Sequence, residues 1–191
     1  MNNILLCGVG GQGTVLASKL IAFAAMEKGL NVRTSETIGM SQRGGCVVSH
    51  VRSGEEISSP MVPKGGADVL IAFEPCEAVR NLSYLREGGA LIVNKKAVKP
   101  VTASLTGSKY DGTEMIEYLR ENVPALTVID GDDICERCGS AKVLNIALLA
   151  AAARSGQLGL TVEELESAIK KRIPERFHEM NLKAVRLAAG E

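Results

Sequence analysis

Short apolar runs alternate with helix-like stretches along the first third of the chain. Asn3 to Cys7 is a continuous run of strand length, and Thr14 to Lys28 repeats apolar positions at helical spacing until Gly29. Asn31 to Ser35 predicts a second strand. These elements form a β-α-β unit within about 35 residues, the size of one crossover. The pattern therefore predicts doubly wound architecture.

The next segments predict a mixed sheet. Cys46 to Arg52 alternates toward its end, and Ser53 to Glu56 predicts a turn back toward Ile57, which indicates a hairpin with an antiparallel strand. Asp68 to Phe73 is a continuous apolar run, typical of a central parallel strand. A helix is expected to begin at Glu74-Pro75, because proline suits a first helical turn.

Strands and helices continue to alternate in the second half. Glu87-Gly88-Gly89 is expected to end the preceding helix. Further strands are predicted at Ala90 to Val93, Val101 to Ala103 and Leu126 to Asp130. A turn is predicted at Gly131-Asp132-Asp133, leading into one long Ala- and Leu-rich helix through Arg154. Further helices are predicted at Asp111 to Glu121, from a capping box formed by Thr161 and Glu164, and at Phe177 to Ala189. The sequence shows no internal repeat and no linker, so we expect one domain over residues 1–191. Its expected fold is an α/β/α Rossmann-like sandwich with a mostly parallel, mixed sheet.

Composition narrows the function. The 191 residues are 46% apolar, and the 22 Lys and Arg balance the 22 Asp and Glu, so no net field attracts nucleic acid or an anionic membrane. Trp is absent and aromatic residues make up only 3%, too few to build base-stacking surfaces. No apolar run reaches the roughly 20 residues of a membrane span, and no signal peptide is visible. We expect a cytoplasmic protein with reduced thiols.

The segment Gly8-Val9-Gly10-Gly11-Gln12-Gly13 lies between the first strand and the first helix and satisfies G-x-G-x-x-G. At such a junction the open backbone and the N–H groups of the helix start form an anion site. The alternative is a tight turn without a ligand. For a bound dinucleotide, Glu36 is spaced to hold a ribose hydroxyl, which keeps open a free-standing nucleotide-binding regulator or NAD(P)-dependent oxidoreductase.

A second glycine-rich loop follows, Gly39-Met40-Ser41-Gln42-Arg43-Gly44-Gly45. Its arginine can clamp a phosphate or carboxylate through the planar guanidinium, or can simply be a surface residue that pairs with Glu36. The candidate cofactor-binding residues are therefore those of the two loops: Gly8, Gly10, Gly11, Gln12, Gly13, Ser41, Gln42, Arg43, Gly44 and Gly45.

No catalytic or metal-binding set emerges from the remaining residues. Cys135 and Cys138 form a C-x-x-C that could bind zinc, share a cluster or cycle as a disulfide, but no second pair accompanies them. We expect two thiols without a metal. The two histidines, His50 and His178, favour structural roles.

Taken together, the two glycine loops and the strand Val47 to Arg52 that follows resemble the gamma subunits of 2-oxoacid:ferredoxin oxidoreductases, and within them the small subunits of the indolepyruvate branch. The similarity extends over nearly the whole chain, through Ser58-Ser59-Pro60, Asn145 and Asn181 to Ala184. The Met40 to Arg43 lead-in favours the indolepyruvate branch.

The resemblance implies a subunit without its own catalytic centre. Thiamine diphosphate and Fe–S clusters would belong to a large partner subunit, which would pass electrons to ferredoxin. The reaction, typical of anaerobic metabolism, would oxidise an aryl 2-oxoacid with coenzyme A to an acyl-CoA and carbon dioxide. The glycine loops would then lie near coenzyme A.

Two further expectations concern assembly. Both loops could pack against the partner with no ligand at all. An isolated chain could pair with a second copy through an exposed apolar face, for which the Ala- and Leu-rich helices after Gly131 are the candidates.

Overall fold

The computed structural model describes residues 1–36, 45–98 and 110–190. Its six strands form one sheet in the order β2-β3-β1-β4-β5-β6. Strand β3 is antiparallel to both of its neighbours, whereas β1, β4, β5 and β6 are parallel to one another. The mostly parallel, mixed sheet is thus confirmed. The strands are β1 (Asn2–Val9), β2 (Asn31–Glu36), β3 (Cys46–Gly54), β4 (Ala67–Ala72), β5 (Leu85–Asn94) and β6 (Leu126–Ile129).

Helices cover both faces of this sheet. Alternate strand residues point to opposite faces, so Ile4 and Leu6 pack in one apolar core and Leu5 and Cys7 in the other. The first core lies under α1, α4, α5, α6 and α7 and the second under α2 and α3, which gives the expected three layers. The helices are α1 (Thr14–Glu27), α2 (Pro75–Asn81), α3 (Thr113–Asn122), α4 (Gly131–Cys138), α5 (Leu144–Arg154), α6 (Val162–Arg172) and α7 (His178–Ala189).

The position of β3 differs from the prediction. It forms a hairpin with the preceding β2, not with the residues around Ile57, and it separates β2 from β1. Ile57 contributes to packing instead, because its side chain is buried and its carbonyl oxygen accepts a hydrogen bond from Arg33 Nε at 2.7 Å. The two strands of the first β-α-β unit, β1 and β2, are therefore not neighbours in the sheet, because β3 lies between them.

Two predicted boundaries are also wrong. Glu87-Gly88-Gly89 lies within β5, where a Cβ on Gly89 would come within 3.0 Å of the Ala67 carbonyl oxygen of the neighbouring strand. The turn predicted at Gly131 to Asp133 is the first turn of α4, and the single long helix predicted after it is two helices, because Gly139 takes a left-handed conformation at φ 71° and ends α4. The capping box of Thr161 and Glu164 is confirmed at the start of α6. The predicted strand at Val101 to Ala103 lies outside the described residues.

The Ala- and Leu-rich helix α5 is an internal helix. Nine of its eleven residues are buried in the first core. The expectation that it offers an exposed docking face is therefore wrong, since small side chains let it pack closely against its neighbours. No helix in the described ranges combines the length and the apolar character that crossing a membrane requires.

Candidate functional site

The glycine loop lies at the carboxyl edge of the parallel strands, where β1 ends and α1 begins. Gly8 is needed for packing, because a Cβ there would lie 2.8 Å from both Phe73 Cβ and Gln12 Oε1. Gly11 and Gly13 are needed for conformation, with φ values of +101° and +90° that disfavour any side chain. The sequence thus allows a sharp turn that places the start of α1 beside the neighbouring strand.

The side chain of Gln12 fixes the turn. Its Oε1 accepts a hydrogen bond from the Val9 N–H at 2.7 Å, and its Nε2 donates to the Phe73 carbonyl oxygen at 3.1 Å. It therefore links the ends of β1 and β4. Gly8 and Gln12, both predicted as ligand contacts, form the base of the loop.

An open cleft of 340 Å³ lies above this base. The start of α1 forms one wall, and no side chain in the described ranges caps this helix, because Gly13 is its N-cap. The first-turn N–H groups and the positive end of the helix dipole therefore favour an anion. The cleft is lined by Gly10, Gly11, Gly13, Thr14, Val15 and Val47.

Gly45, the last residue of the second glycine-rich loop, contacts the first loop beside this cleft. The Gly10 N–H donates to the Gly45 carbonyl oxygen at 2.8 Å, and the Gln12 N–H donates to the Val9 carbonyl oxygen at 3.2 Å. The N–H groups of Gly10 and Gln12 are therefore occupied within the fold and are not free to bind an anion. The first-turn N–H groups of α1 have no partner inside the helix and stay candidates for that role. Ser41, Gln42, Arg43 and Gly44 lie outside the described residues.

Asn145 of α5 supports the cleft from below. Its side chain is buried, and a Cβ on Gly13 would lie 3.2 Å from Asn145 Nδ2. Its Oδ1 accepts a hydrogen bond from the Ile146 N–H at 2.9 Å. The amide therefore leaves little room for a side chain at position 13, where the positive φ also favours glycine.

A buried acidic cluster, which the sequence reasoning missed, lies on the α2 side of the same edge. The Glu74 carboxylate caps α2 by accepting from the Glu77 N–H at 3.0 Å, and it also accepts from the Tyr110 hydroxyl. Glu77 accepts from Cys46 Sγ at 2.7 Å and pairs with Arg80 at 3.1 Å. The position of Glu74 directly after a buried strand was the available signal.

The neighbouring thiols are held in their neutral form. Burial, followed by the Glu77 carboxylate, raises the pKa of Cys46 to about 11. Complete burial raises the pKa of Cys7 well above its ordinary value, and burial together with Glu74 raises the pKa of Tyr110. These groups do not supply a nucleophile at neutral pH, because only the thiolate is reactive.

The other candidate residues have structural partners. His50 is buried on β3, where burial lowers its pKa and its Nδ1 accepts from the Val62 N–H at 3.2 Å, as expected of a structural histidine. Cys135 and Cys138 are half-buried on α4 with free thiols. Glu36 accepts from the Ser18 hydroxyl at 2.8 Å and lies one strand farther from β1 than a dinucleotide fold requires. Across the described ranges, no three His, Cys, Asp or Glu residues are grouped to hold a metal.

Comparison with known proteins decides the family. The family profile described as pyruvate ferredoxin/flavodoxin oxidoreductase matches residues 3–191. The chain belongs to this family. A relative in Archaeoglobus fulgidus, "Indolepyruvate oxidoreductase subunit IorB", is 38% identical over 99% of this chain and 94% of its own length. The resemblance read from the glycine loops is thereby confirmed, and the chain is an oxidoreductase subunit. The alternative of a free-standing nucleotide-binding protein finds no support.

Solved structures of the pyruvate ferredoxin/flavodoxin oxidoreductase family share the fold. The gamma subunit of a keto/oxoacid ferredoxin oxidoreductase from Geobacter sulfurreducens superposes with a TM-score of 0.70 at 25% identity, covering 100% of this chain and 97% of that one. A 2-oxoglutarate:ferredoxin oxidoreductase from Magnetococcus marinus, with 2-oxoglutarate, coenzyme A and succinyl-CoA bound, matches with a TM-score of 0.65 at 20% identity. This chain covers only 31% of that longer chain, so the same fold occurs there within a larger polypeptide.

Proposed function

We propose that this chain is the small subunit of an enzyme that oxidatively decarboxylates an aryl 2-oxoacid, such as indolepyruvate, to an acyl-CoA while reducing ferredoxin. The observation that carries the proposal is the 38% identity, over nearly the full length, with a subunit of an indolepyruvate oxidoreductase. Residues 1–191 would act as one domain in the cytoplasm, where thiols such as Cys46 stay reduced.

The thiamine diphosphate and Fe–S clusters belong to a larger partner subunit in this proposal. Thiamine diphosphate supplies the chemistry of decarboxylation and the clusters carry electrons to ferredoxin. This chain supplies binding and orientation, and it excludes water from the reacting groups.

The glycine cleft is the part of this chain that we assign to coenzyme A. Gly13, Thr14 and Val15 line an open cleft at the positive end of α1, where the free N–H groups of a first helical turn suit a phosphate group. Val15 and Val47 add apolar walls for the uncharged part of a ligand. Arg43 would neutralise a phosphate or carboxylate of the ligand, and Ser41, Gln42, Gly44 and Gly45 would bind it from the same loop.

Replacing Val15 with Asp tests this assignment. Val15 is the second residue of α1, where the helix dipole stabilises a carboxylate, so the Asp variant should fold normally. The new negative charge should repel an anion bound in the cleft. In the assembled enzyme we expect the KM for coenzyme A to rise about tenfold, equivalent to about 1.4 kcal/mol of repulsion. The control, Val15→Asn, has nearly the same shape without the charge and should change the KM less than threefold.

The two substrates separate the possible ligands of the cleft. A rise in the KM for the 2-oxoacid alone would assign the cleft to its carboxylate. If both KM values stay at the level of the unmodified enzyme in Val15→Asp, the cleft binds no anionic substrate and the assignment fails.

A further inference from the structure

The outer face of helix α1 exposes large apolar side chains to solvent beside a single lysine, Lys19. Its inner face is buried in the first core through residues such as Leu20 and Ile21. On the outer face, Leu16 and Met26 are 46% and 53% exposed. Apolar residues all round a helix are typical of one that is covered on every side. The sequence of α1 therefore fits a helix with a second covering layer.

The outward residues form one continuous stripe. Leu16, Lys19, Phe23 and Met26 follow one another at steps of three, four and three, which keeps them on one side of the helix. This is the spacing of the contact positions between two packed helices. We refer to these four residues as the α1 stripe.

A groove of 550 Å³ runs beside the α1 stripe. Its opposite wall is Thr34 and Glu36 of β2, the edge strand of the sheet, and Arg172 lies at one end. The Arg172 guanidinium lies 5.1 Å from the centre of the Phe23 ring, a cation–π contact that holds the charge over the apolar surface. The surface is therefore a concave, largely apolar strip that carries two positive side chains, Lys19 and Arg172.

These charges indicate what covers it. Among the described residues, neither Lys19 nor Arg172 has a carboxylate within ion-pairing distance. The carboxylate of Glu36 is hydrogen-bonded to Ser18 of α1. A second copy of the chain would present the same patch across a two-fold axis, and in that patch the two positive charges of Lys19 and Arg172 outnumber the single carboxylate of Glu36. Two copies would therefore bring a net positive patch against a net positive patch. A partner that carries carboxylates would complement them.

We propose that the α1 stripe is the docking face for another subunit of the same oxidoreductase, which contributes an amphipathic helix with an apolar stripe and carboxylates opposite Lys19 and Arg172. The proposal rests on the proposed function, since it requires the chain to work within an assembly. The stripe begins next to Val15, which lines the glycine cleft, so the docked helix borders that cleft. Docking therefore also shields the bound substrate from water.

Single charges placed in the α1 stripe test the proposal. The tagged chain is co-expressed with its companion subunits, purified without oxygen, and compared with Leu16→Glu and Met26→Glu. The control is Tyr118→Glu on α3, which is 46% exposed on the other side of the sheet. We expect both stripe variants to weaken binding of the companion subunit at least tenfold, measured by titration of the separated subunits, and the control to bind normally.

Folding of each variant is checked by urea unfolding of the chain alone. Lys19→Glu is a further variant that exchanges one exposed charged side chain for another and removes no apolar contact. We expect Lys19→Glu to weaken docking as well, because it reverses one of the complementary charges. Normal companion binding by all stripe variants would overturn the proposal. So would variants that abolish self-association of the chain while companion binding is unchanged, because a second copy would then be the occupant.

A different outcome of the same experiment would contradict the proposed function. If the unmodified chain retains no companion subunit at all, the subunit role itself is wrong. If it retains one and the stripe variants do so equally, only the docking face is wrong.

Discussion

The thiol of Cys46 donates a hydrogen bond to the carboxylate of Glu77, a side chain that is itself almost fully buried. The Glu77 oxygen is 2.7 Å from Cys46 Sγ, and the pKa of the thiol is about 11. Alkylation of Cys46 by iodoacetamide should therefore be slow at pH 7 and rise about tenfold per pH unit until about pH 11. Glu77→Gln removes the negative charge and should accelerate alkylation at pH 8, as followed by peptide mass spectrometry.

Cys138, the last residue of α4 and half-buried, is the reference thiol in the same samples. Its rate should not change in Glu77→Gln. Equal rates for Cys46 in the two proteins would contradict the coupling to Glu77.

The same pKa shift makes stability depend on pH. The folded chain keeps the Cys46 proton above the ordinary thiol value of 9.0, where the unfolded chain has lost it. The contribution to stability is therefore complete below about pH 9 and is lost as the pH rises toward about 11. Cys7, whose pKa is also raised, acts in the same direction.

At the scale of single residues, the sequence predicted where the chain needs glycine better than it predicted the contacts of the glycine loop. Gly11 and Gly13 occupy left-handed positions, as a G-x-G-x-x-G turn requires. The roles of Gly10 and Gln12 could not be predicted, because they bind Gly45 and Phe73, which are distant in the sequence. The same reason hid the contact between Glu77 and Cys46.

At the scale of elements, Gly139 divides what the sequence pattern predicts as one helix. Its φ is +71°, and a Cβ there would meet nothing within 4 Å. Gly139→Ala should therefore destabilise the chain by backbone strain alone, by about 1 kcal/mol in urea unfolding. Gly139→Asn should cost less, since asparagine tolerates the left-handed region better.

A variant Gly139→Ala as stable as the unmodified chain would contradict the strain that we assign to a side chain at this left-handed position. Periodicity cannot distinguish these cases, because the residues on both sides of Gly139 favour helix. Buried apolar runs did predict β1 and β4, since a central parallel strand is apolar on both faces. The partner of β3 was mispredicted because alternation defines a strand without defining its neighbour.

At the scale of the whole molecule, the alternation of strands and helices sufficed to predict the three-layer sandwich. The sheet order was not predictable, because it depends on β3 entering between β1 and β2. Composition alone favoured α5 as an exposed apolar face, whereas the structure places that helix inside and leaves the outer face of α1 uncovered. Which apolar helix faces solvent is decided by packing of the whole chain.

The central claim is that this chain works as a subunit of an aryl-2-oxoacid oxidoreductase. The most direct test is the coenzyme A-dependent oxidation of indolepyruvate by the complex purified anaerobically through a tag on this chain, with reduction of ferredoxin as the readout. We predict that the complex reduces ferredoxin faster with indolepyruvate than with pyruvate or 2-oxoglutarate, and that activity is lost without coenzyme A. A purified complex that reduces ferredoxin with none of the three 2-oxoacids would contradict the account.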